Sequence, residues 1–312
     1  MASLLSVVII THNSEQFIDG CLSSVQSQVV TDPFEVIVVD NASEDGSRKL
    51  LVEKFDHVTL IKHATNRGFA AANNDGIRAA AGKFVLLLNV DTIVTQGAFQ
   101  TMVSYLKGNA KVAALGPKIV NRDGSLQRTG VSFPSLWSVL TEVLFLDVLF
   151  PTSRFFGSHR RLFDSPDSVQ DVDYLQGSCL LLRKEALDEC GMLDERFFMY
   201  FEENDLCRRM KHNGWVVRYI PDAVITHFGG GATGYYDQDR IAMFHRSYLL
   251  YLRKHEYVVR GMLFRVLLFL RALVRAFLFV LCGIIVPERR REFFSRMIGN
   301  IDAMKIMVGL KR

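Results

Sequence analysis

The chain has 312 residues, 49% hydrophobic and 22% charged, with only 7 Pro, which excludes a disordered or fibrous protein and fits one large domain or two ordinary ones. The net charge of +4 conceals an asymmetry: residues 253–312 hold 13 Lys and Arg against 4 Asp and Glu, the remainder 24 against 29. A mildly acidic body with a basic tail directs that tail toward an anionic surface, lipid or nucleic acid.

Residues 6–10 (SVVII) form a continuous apolar run, the pattern of a strand buried on both faces. A helix follows with Phe17, Ile18, Cys21, Leu22 and Val25 on one stripe, and Asn13 and Gln16 stand at N-cap and N3 spacing. Residues 35–39 (EVIVV) are a second buried strand and residues 57–61 a third. Residues 67–81 are an Ala-rich helix closed by Gly82, and residues 84–88 (FVLLL) a fourth strand. A helix at 97–106 and a short strand at 112–115 complete an alternation that argues a mostly parallel, open α/β sheet. Residues 136–150 are apolar at most positions, as in a helix or a lipid-facing segment. Residues 174–182 read as strand, 184–190 as a helix ending at Gly191, and 201–212 as a helix closed by Asn213-Gly214. Strands at 215–220 and 223–226 precede a glycine-rich, mobile loop at 229–234, and from Arg240 onward the pattern is helical.

Five cysteines, an odd number with no CxxC pair, argue against a disulfide framework or a structural zinc site and favour a reducing compartment. Met1-Ala2-Ser3 enters the first strand with no basic n-region and no cleavage site, so no signal peptide is expected.

Three apolar strands end in polar residues: Thr11-His12-Asn13, Asp40-Asn41 and Asn89-Val90-Asp91. Ligands of open α/β sheets bind at the carboxyl ends of the strands. Asp40 opens a turn-rich segment, where it could serve a βα loop or accept the imide N–H of a pyrimidine. No GxGxxG follows either early strand, which disfavours the common dinucleotide fold. Asn89 and Asp91 alternate on an extended segment and so project to one side, an arrangement suited to a hard divalent cation shared with phosphate oxygens. Glu202-Glu203-Asn204-Asp205 opens a helix, where acids complement the dipole and a carboxylate stays ionised as a general base requires. Neighbouring helical residues diverge by about 100°, so Glu202 and Glu203 cannot both face one substrate, and spacing does not choose between them. His227 is a candidate ligand if Asp91 binds metal.

In the tail, Arg260, Arg265, Arg271 and Arg275 punctuate an apolar stretch from 258 to 286, at about 0°, 140°, 20° and 60° on a helical wheel. The uncharged run 276–286 is short for a bilayer. A basic amphipathic helix lying in the membrane interface fits better.

Seven segments, SVVIITHN, VIVVDNASEDGS, NRGFAAANNDGI, FVLLLNVD, GSCLLLRKEAL, ERFFMYFEENDLCRRMKHNGW and HFGGGAT, follow the order and spacing seen in glycosyltransferase family 2. The chain resembles most its rhamnosyltransferase-like branch, which builds bacterial cell-wall and surface polysaccharides. The resemblance covers residues 5–233. It implies a GT-A fold over residues 1–235, Rossmann-like with flanking helices; the tail carries no comparable motif, and its own charge and periodicity predict an amphipathic helical membrane-association region at 236–312. It also implies inverting transfer from a nucleotide sugar, dependent on Mn²⁺ or Mg²⁺.

By matching position, Thr11, Asn13, Asp40 and Asn41 would hold the nucleoside, and Asn66, Gly68, Phe69 and Asn73 would line the diphosphate and sugar. Asn89-Val90-Asp91 stands in place of the family's DxD. Asn89 departs from the first Asp, so Asp91 remains as the main metal carboxylate, and His227 falls at a second ligand position. Glu203 falls at the second acid of the family's ED pair, where the catalytic base is expected and Asp is usual. The resemblance implies a dTDP- or UDP-linked donor and a lipid-linked glycan acceptor, handled at the cytoplasmic face of the membrane, while the tail's own basic and apolar pattern gives an anionic membrane surface as its partner. Closure of the glycine-rich loop would exclude water. Two other readings are direct transfer to polyprenyl phosphate, which needs no strong general base, and nucleic-acid binding by the tail. The second is disfavoured because the tail's arginines lie among Leu, Phe and Val rather than among base-reading side chains.

Overall fold

An unbroken apolar run builds the first strand, β1 (Leu5–Thr11), and neighbours on both edges and both faces leave it no exposed side. The computed structural model describes residues 4–127, 129–159, 164–229 and 237–310. In chain order β1 is followed by α1 (Glu15–Gln26), β2 (Phe34–Asp40), α2 (Ser47–Lys54), β3 (Thr59–Lys62), α3 (Phe69–Ala79), β4 (Phe84–Asn89), β5 (Thr92–Val94), α4 (Ala98–Gly108) and β6 (Val112–Val120). Then come β7 (Leu126–Gln127), β8 (Gly130–Val131), α5 (Leu136–Val143), α6 (Leu146–Leu149), β9 (Gln170–Asp171), β10 (Tyr174–Leu175) and β11 (Cys179–Arg183). The chain finishes with α7 (Lys184–Cys190), α8 (Glu202–His212), β12 (Val216–His227), α9 (Asp237–His255), α10 (Val258–Ile285) and α11 (Arg290–Met307).

These elements form two compact units, one drawn from residues 1–132, 164–196 and 202–234, the other from 133–163, 197–201 and 235–312. The first is a sheet in the order β3-β2-β1-β4-β11-β6-β12-β5, with β7 on β6 and β9 on β12; β8 and β10 pair separately. Strands β3, β2, β1 and β4 run parallel, as the alternating pattern predicts. β11 inserts antiparallel between β4 and β6, so the sheet is mixed. α1 buries Ile18, Cys21, Leu22 and Val25, whereas Phe17 stays partly exposed and stacks on Phe228 at 6.0 Å. All five cysteines are free thiols.

Several boundaries move for identifiable reasons. Ser14, not Asn13, caps α1, because Asn13 adopts φ 51° and its carboxamide oxygen accepts the Glu44 N–H at 2.7 Å. α3 starts only at Phe69, since Gly68 sits at φ 85°, and it ends at extended Ala80 rather than at Gly82. Gly82 instead lets β1 approach: a Cβ there would lie 2.7 Å from Ser6 Oγ. The two strands read at 215–220 and 223–226 are one strand with an irregularity between Tyr219 and Val224, and the segment at 174–182 divides into β10 and β11. The short strand at 112–115 extends to Val120.

α3 packs on β1 through Gly76, where an added Cβ would meet Val8 Cγ1 at 2.2 Å. Gly76→Ala should therefore destabilise the protein by about 1–3 kcal/mol, the usual range for overpacking, despite alanine's better helix propensity. Urea unfolding checks this, and unchanged or increased stability would show that α3 rides freely over the sheet.

The second unit is helical. Phe201, Phe244, Tyr248 and Tyr251 form an aromatic cluster, and α10 packs against α5, α9 and α11. The segment at 136–150 is two helices, broken at Phe145 with φ 57°. Most of the basic face read on α10 is turned into the protein, while Arg260 stays exposed. Arg271 is buried against Glu142 of α5, Arg265 donates to the Met307 carbonyl of α11, and Arg260 pairs with Glu256 at 3.1 Å. An unpaired guanidinium is costly to bury, so Arg271 and Arg265 are matched to acceptors supplied by packing, whereas exposed Arg260 pairs with its chain neighbour Glu256. Of the glycine-rich loop, residues 230–234 lie outside the described residues.

Candidate active site

Parallel pairing of β1 with β2 and β4 aligns Thr11 with Asp40 and Ile10 with Asn89, so three polar strand ends share one edge of the sheet. Thr11 is fully buried and its hydroxyl has no hydrogen-bond partner. Asp40 is also buried. Its Oδ1 accepts from the Ser43 N–H at 3.2 Å, and its Oδ2 takes Arg48 Nε at 2.7 Å. Its charge is therefore matched within the protein, and a ligand would share the carboxylate with these donors. Asn13 ties the loops after β1 and β2 together through Glu44 and the Ser43 hydroxyl.

Asn41 is a hub. Its Nδ2 donates to Asn66 Oδ1 at 2.9 Å and to the Gly68 carbonyl at 3.3 Å, and its Oδ1 accepts the Arg67 N–H at 2.9 Å. His63 Nδ1 contacts the same oxygen at 3.0 Å, while its Nε2 lies 2.9 Å from Asp75 Oδ2. Asp75 is further held by Arg67 and Arg78. This network fixes the turn 66–68 that leads into α3, where Asn73 donates to the Phe69 carbonyl. His63 and Asp75 were not singled out from the sequence, because His63 lies in no motif, Asp75 lies within NRGFAAANNDGI without a local sign of its partner, and their meeting depends on how α3 packs.

β12 runs antiparallel to β5, pairing His227 with Thr92, and the Phe228 N–H donates to the Asp91 carbonyl at 2.9 Å. This brings two residues 136 positions apart together: His227 Nε2 lies 3.3 Å from Asp91 Oδ1. His227 Nδ1 faces Gln127 Oε1 at 2.9 Å, and Gln127 Nε2 donates back to the His227 carbonyl at 2.8 Å. The acceptor at Nδ1 places the ring proton there and leaves the Nε2 lone pair facing the carboxylate. Asp91 Oδ1 is buried and has no hydrogen-bond donor. A carboxylate oxygen and an imidazole nitrogen with facing lone pairs suit a divalent cation, so the donor set fits the metal that the resemblance implies. Among the described residues no group of three or more His, Cys, Asp or Glu forms a metal cage.

α8 presents the acids. Asp205 is engaged by Arg209 at 2.9 Å, and Arg209 also grips the carbonyls of Gly191 and Met192, which anchors the helix on the end of α7. Tyr200 and Phe201 enter α8 at φ 72° and 68°, an uncommon conformation for bulky residues that costs on the order of 1–3 kcal/mol each. Burial and the neighbouring Glu203 charge push Glu202 well above the usual carboxylate range. Burial also raises Glu203, to about 7, opposed by backbone N–H groups that include those of Gly177 and Asn204. Glu203 Oε2 is buried without a partner. A Cβ on Gly177 would lie 3.7 Å from the Phe69 ring and 4.0 Å from Glu203 Cδ, so Gly177 separates the start of α3 from this carboxylate. The adjacent Ser178 carbonyl accepts the Asn89 N–H at 3.0 Å. Asn89, Phe69 and Glu203 are thereby joined through one short segment, 177–178, which opens the GSCLLLRKEAL segment but was given no role from the sequence.

Residues 6–191 match the model of a family described as glycosyl transferase family 2. The chain is 29% identical over 263 residues to the N-acetylglucosaminyl-diphospho-decaprenol L-rhamnosyltransferase of Mycobacterium tuberculosis, covering 81% of this chain and 85% of that protein. Among solved structures, mannosyltransferase PcManGT from Pyrobaculum calidifontis, in complex with GDP-Man and Mn²⁺, aligns with a TM-score of 0.57 at 18% identity, over all of this chain and 89% of that one. GalNAc-T7 with UDP, GalNAc and Mn²⁺ aligns with a TM-score of 0.58 at 15% identity, over 81% of this chain and 48% of that one.

Proposed function

Because the chain belongs to glycosyl transferase family 2 and has the GT-A fold, we propose that it moves a sugar from a nucleotide-diphosphate donor to a hydroxyl of a lipid-linked glycan, inverting the anomeric centre. The observation that carries this reading is that, of the three acids in the sheet unit with an unsatisfied buried oxygen, Asp91 faces His227 and Glu203, raised to about 7, lies beside Gly177 and Phe69, the third being the neighbouring Glu202.

In this reading Thr11, Asn13, Asp40 and Asn41 hold the nucleoside, while the Asn66–Gly68 turn, Phe69 and Asn73 line the diphosphate and sugar. Asn89 stays with the donor. Asp91 and His227 are the protein ligands of Mn²⁺ or Mg²⁺, which when bound supplies positive charge to the departing diphosphate. Gln127 holds the His227 ring with Nε2 toward Asp91. Ionised Glu203 takes the proton of the acceptor hydroxyl. The resulting oxygen forms a bond to the anomeric carbon as the bond from that carbon to the diphosphate oxygen breaks on the opposite face, and the electron pair leaves with the nucleoside diphosphate. Burial and the Glu203 charge push Glu202 well above the usual carboxylate range, which disfavours a second charge beside the base. A carboxylate raised toward the working pH is suited to deprotonating an alcohol. A phosphate acceptor is already a nucleophile, so the base favours a hydroxyl over polyprenyl phosphate.

The relative's name specifies a lipid-diphosphate acceptor and L-rhamnose. We extend the lipid-linked glycan class to this chain, with rhamnose from a dTDP- or UDP-linked donor as the first sugar to try, and place the enzyme peripherally at the cytoplasmic face of the membrane. A thermal-shift screen of nucleotide sugars with Mn²⁺ or with chelator tests the donor. A true donor at 100 times its Kd should add about 2.7 kcal/mol of stability, more weakly in chelator. No stabilisation by any nucleotide sugar, with or without metal, would overturn the reading.

A further inference from the structure

We infer that α10 enters a lipid bilayer in the plane of the membrane through its outward apolar face, with Arg265 and Arg271 turned back into the protein. The inference rests on the proposed lipid-linked acceptor only for the choice of lipid as occupant; the face itself is read from the helix.

α10 is 28 residues long, about 42 Å at 1.5 Å per residue, with a mean hydropathy of 2.3 in its most apolar window. By length and composition it could cross a membrane. The packing of its other face argues against that. Phe264, Leu268, Arg271, Ala272 and Ala276 are buried against the second unit, and Arg271 pairs with Glu142 while contacting His245. α10 is therefore packed against α9 and α11, which carry charged residues and, among the described helices, are not long and apolar enough to cross a bilayer. Pulling α10 across a membrane would strip it of these partners and leave Arg265, Arg271 and Arg275 at depth.

The outward face has the opposite character. Met262, Val266, Leu270, Leu273, Phe277 and Ile284 are all exposed. At about 100° per residue they fall between 200° and 280° from Arg260, away from Arg271 and Arg275 at about 20° and 60°. No charged residue interrupts this stripe. Exposed cations bracket it instead, Arg253 and Lys254 before it and Arg289, Arg290 and Arg291 after it, with Tyr257 at its start. An uninterrupted apolar stripe with basic residues and an aromatic at its ends matches acyl chains below a layer of phosphates. A protein partner would not require cations at both ends of the stripe.

The expected chemistry of binding therefore differs from a basic face on anionic lipid. The full-length protein should bind neutral phosphatidylcholine vesicles, with partitioning that changes less than about threefold between low and high salt. Anionic lipid should add only a salt-sensitive increment, removed by a combined Arg289→Gln, Arg290→Gln, Arg291→Gln variant. Val266→Asp, Leu273→Asp and Phe277→Asp together should weaken partitioning at least about 100-fold while leaving circular dichroism and donor-induced thermal stabilisation unchanged. Phe277→Asp alone should give a partial loss if the triple variant fails to fold. Binding that needs anionic lipid and vanishes in salt, a C-terminal reporter on the opposite side of the membrane from the N-terminus, or a soluble dimer dispersed by the Asp variants with no vesicle binding by the parent would each overturn the inference. Donor stabilisation is read without lipid, so failure of the membrane inference and failure of the glycosyltransferase reading separate cleanly.

Discussion

Replacing Glu203 by Gln should lower kcat by roughly 10²–10⁴-fold, the range for loss of general acid–base catalysis, with donor affinity and metal dependence unchanged. Gln keeps the shape of the side chain and can still accept from the Gly177 and Asn204 N–H groups, but it cannot take a proton. The pH profile follows from the direction of the shift. Only the carboxylate is a base, and burial raises its pKa to about 7, so kcat should climb with pH through that region in the parent and lose this limb in the variant. Stability should move the other way. With a folded pKa above that of the unfolded chain, the native state binds more protons between about pH 4.5 and 7, so its stability falls as pH rises through that window. Glu203→Gln should consequently gain stability relative to the parent at pH 8 and lose that advantage at pH 4. A large kcat loss from Glu202→Gln alongside a small one from Glu203→Gln would assign the base to the wrong carboxylate.

Asp91→Ala should reduce kcat/KM by about 10³-fold, since charge stabilisation of a departing diphosphate amounts to several kcal/mol. The more specific readout is nucleotide affinity. The parent should bind nucleoside diphosphate more tightly with Mn²⁺ than with chelator, and the variant should bind equally in both. His227→Ala should cut the metal-dependent increment in part, and Gln127→Ala less, because it only orients the ring. Retention of the full Mn²⁺ effect in Asp91→Ala, measured by calorimetry, would remove Asp91 and His227 from the metal.

Both predictions rest on residues that were legible at very different levels. Strands β1, β2 and β4 were readable because sheet positions buried on both faces tolerate only apolar runs, and the polar residues that end them stand out against those runs. The acids of α8 were readable as a helix start, but burial raises both Glu202 and Glu203, and what distinguishes Glu203 is its approach to Gly177 beside Phe69, a long-range contact. The facing of Asp91 and His227 depends on β12 reaching back to β5, a long-range register that no local pattern encodes. The Asn41–His63–Asp75 chain and the position of Gly177 have the same cause.

The tail shows the converse limit. Periodicity located the arginines on one side of α10 correctly, yet a wheel does not say which side is covered. Glu142 lies 129 positions from Arg271 in the chain, and its carboxylate turned a presumed lipid-facing surface into the packed one. The apolar residues opposite were present in the same periodicity and became the exposed face.

The central claim is that this chain transfers a sugar with inversion, using Glu203 as the base. It is tested most directly by incubating the protein with a nucleotide-diphosphate sugar that stabilises it, Mn²⁺ and a synthetic lipid-diphosphate glycan, and assigning the anomeric configuration of the product by NMR. A single added sugar of configuration opposite to the donor, formed by the parent and nearly absent with Glu203→Gln, is the predicted result; a product that retains the donor's configuration, or equal formation by the variant, would contradict it.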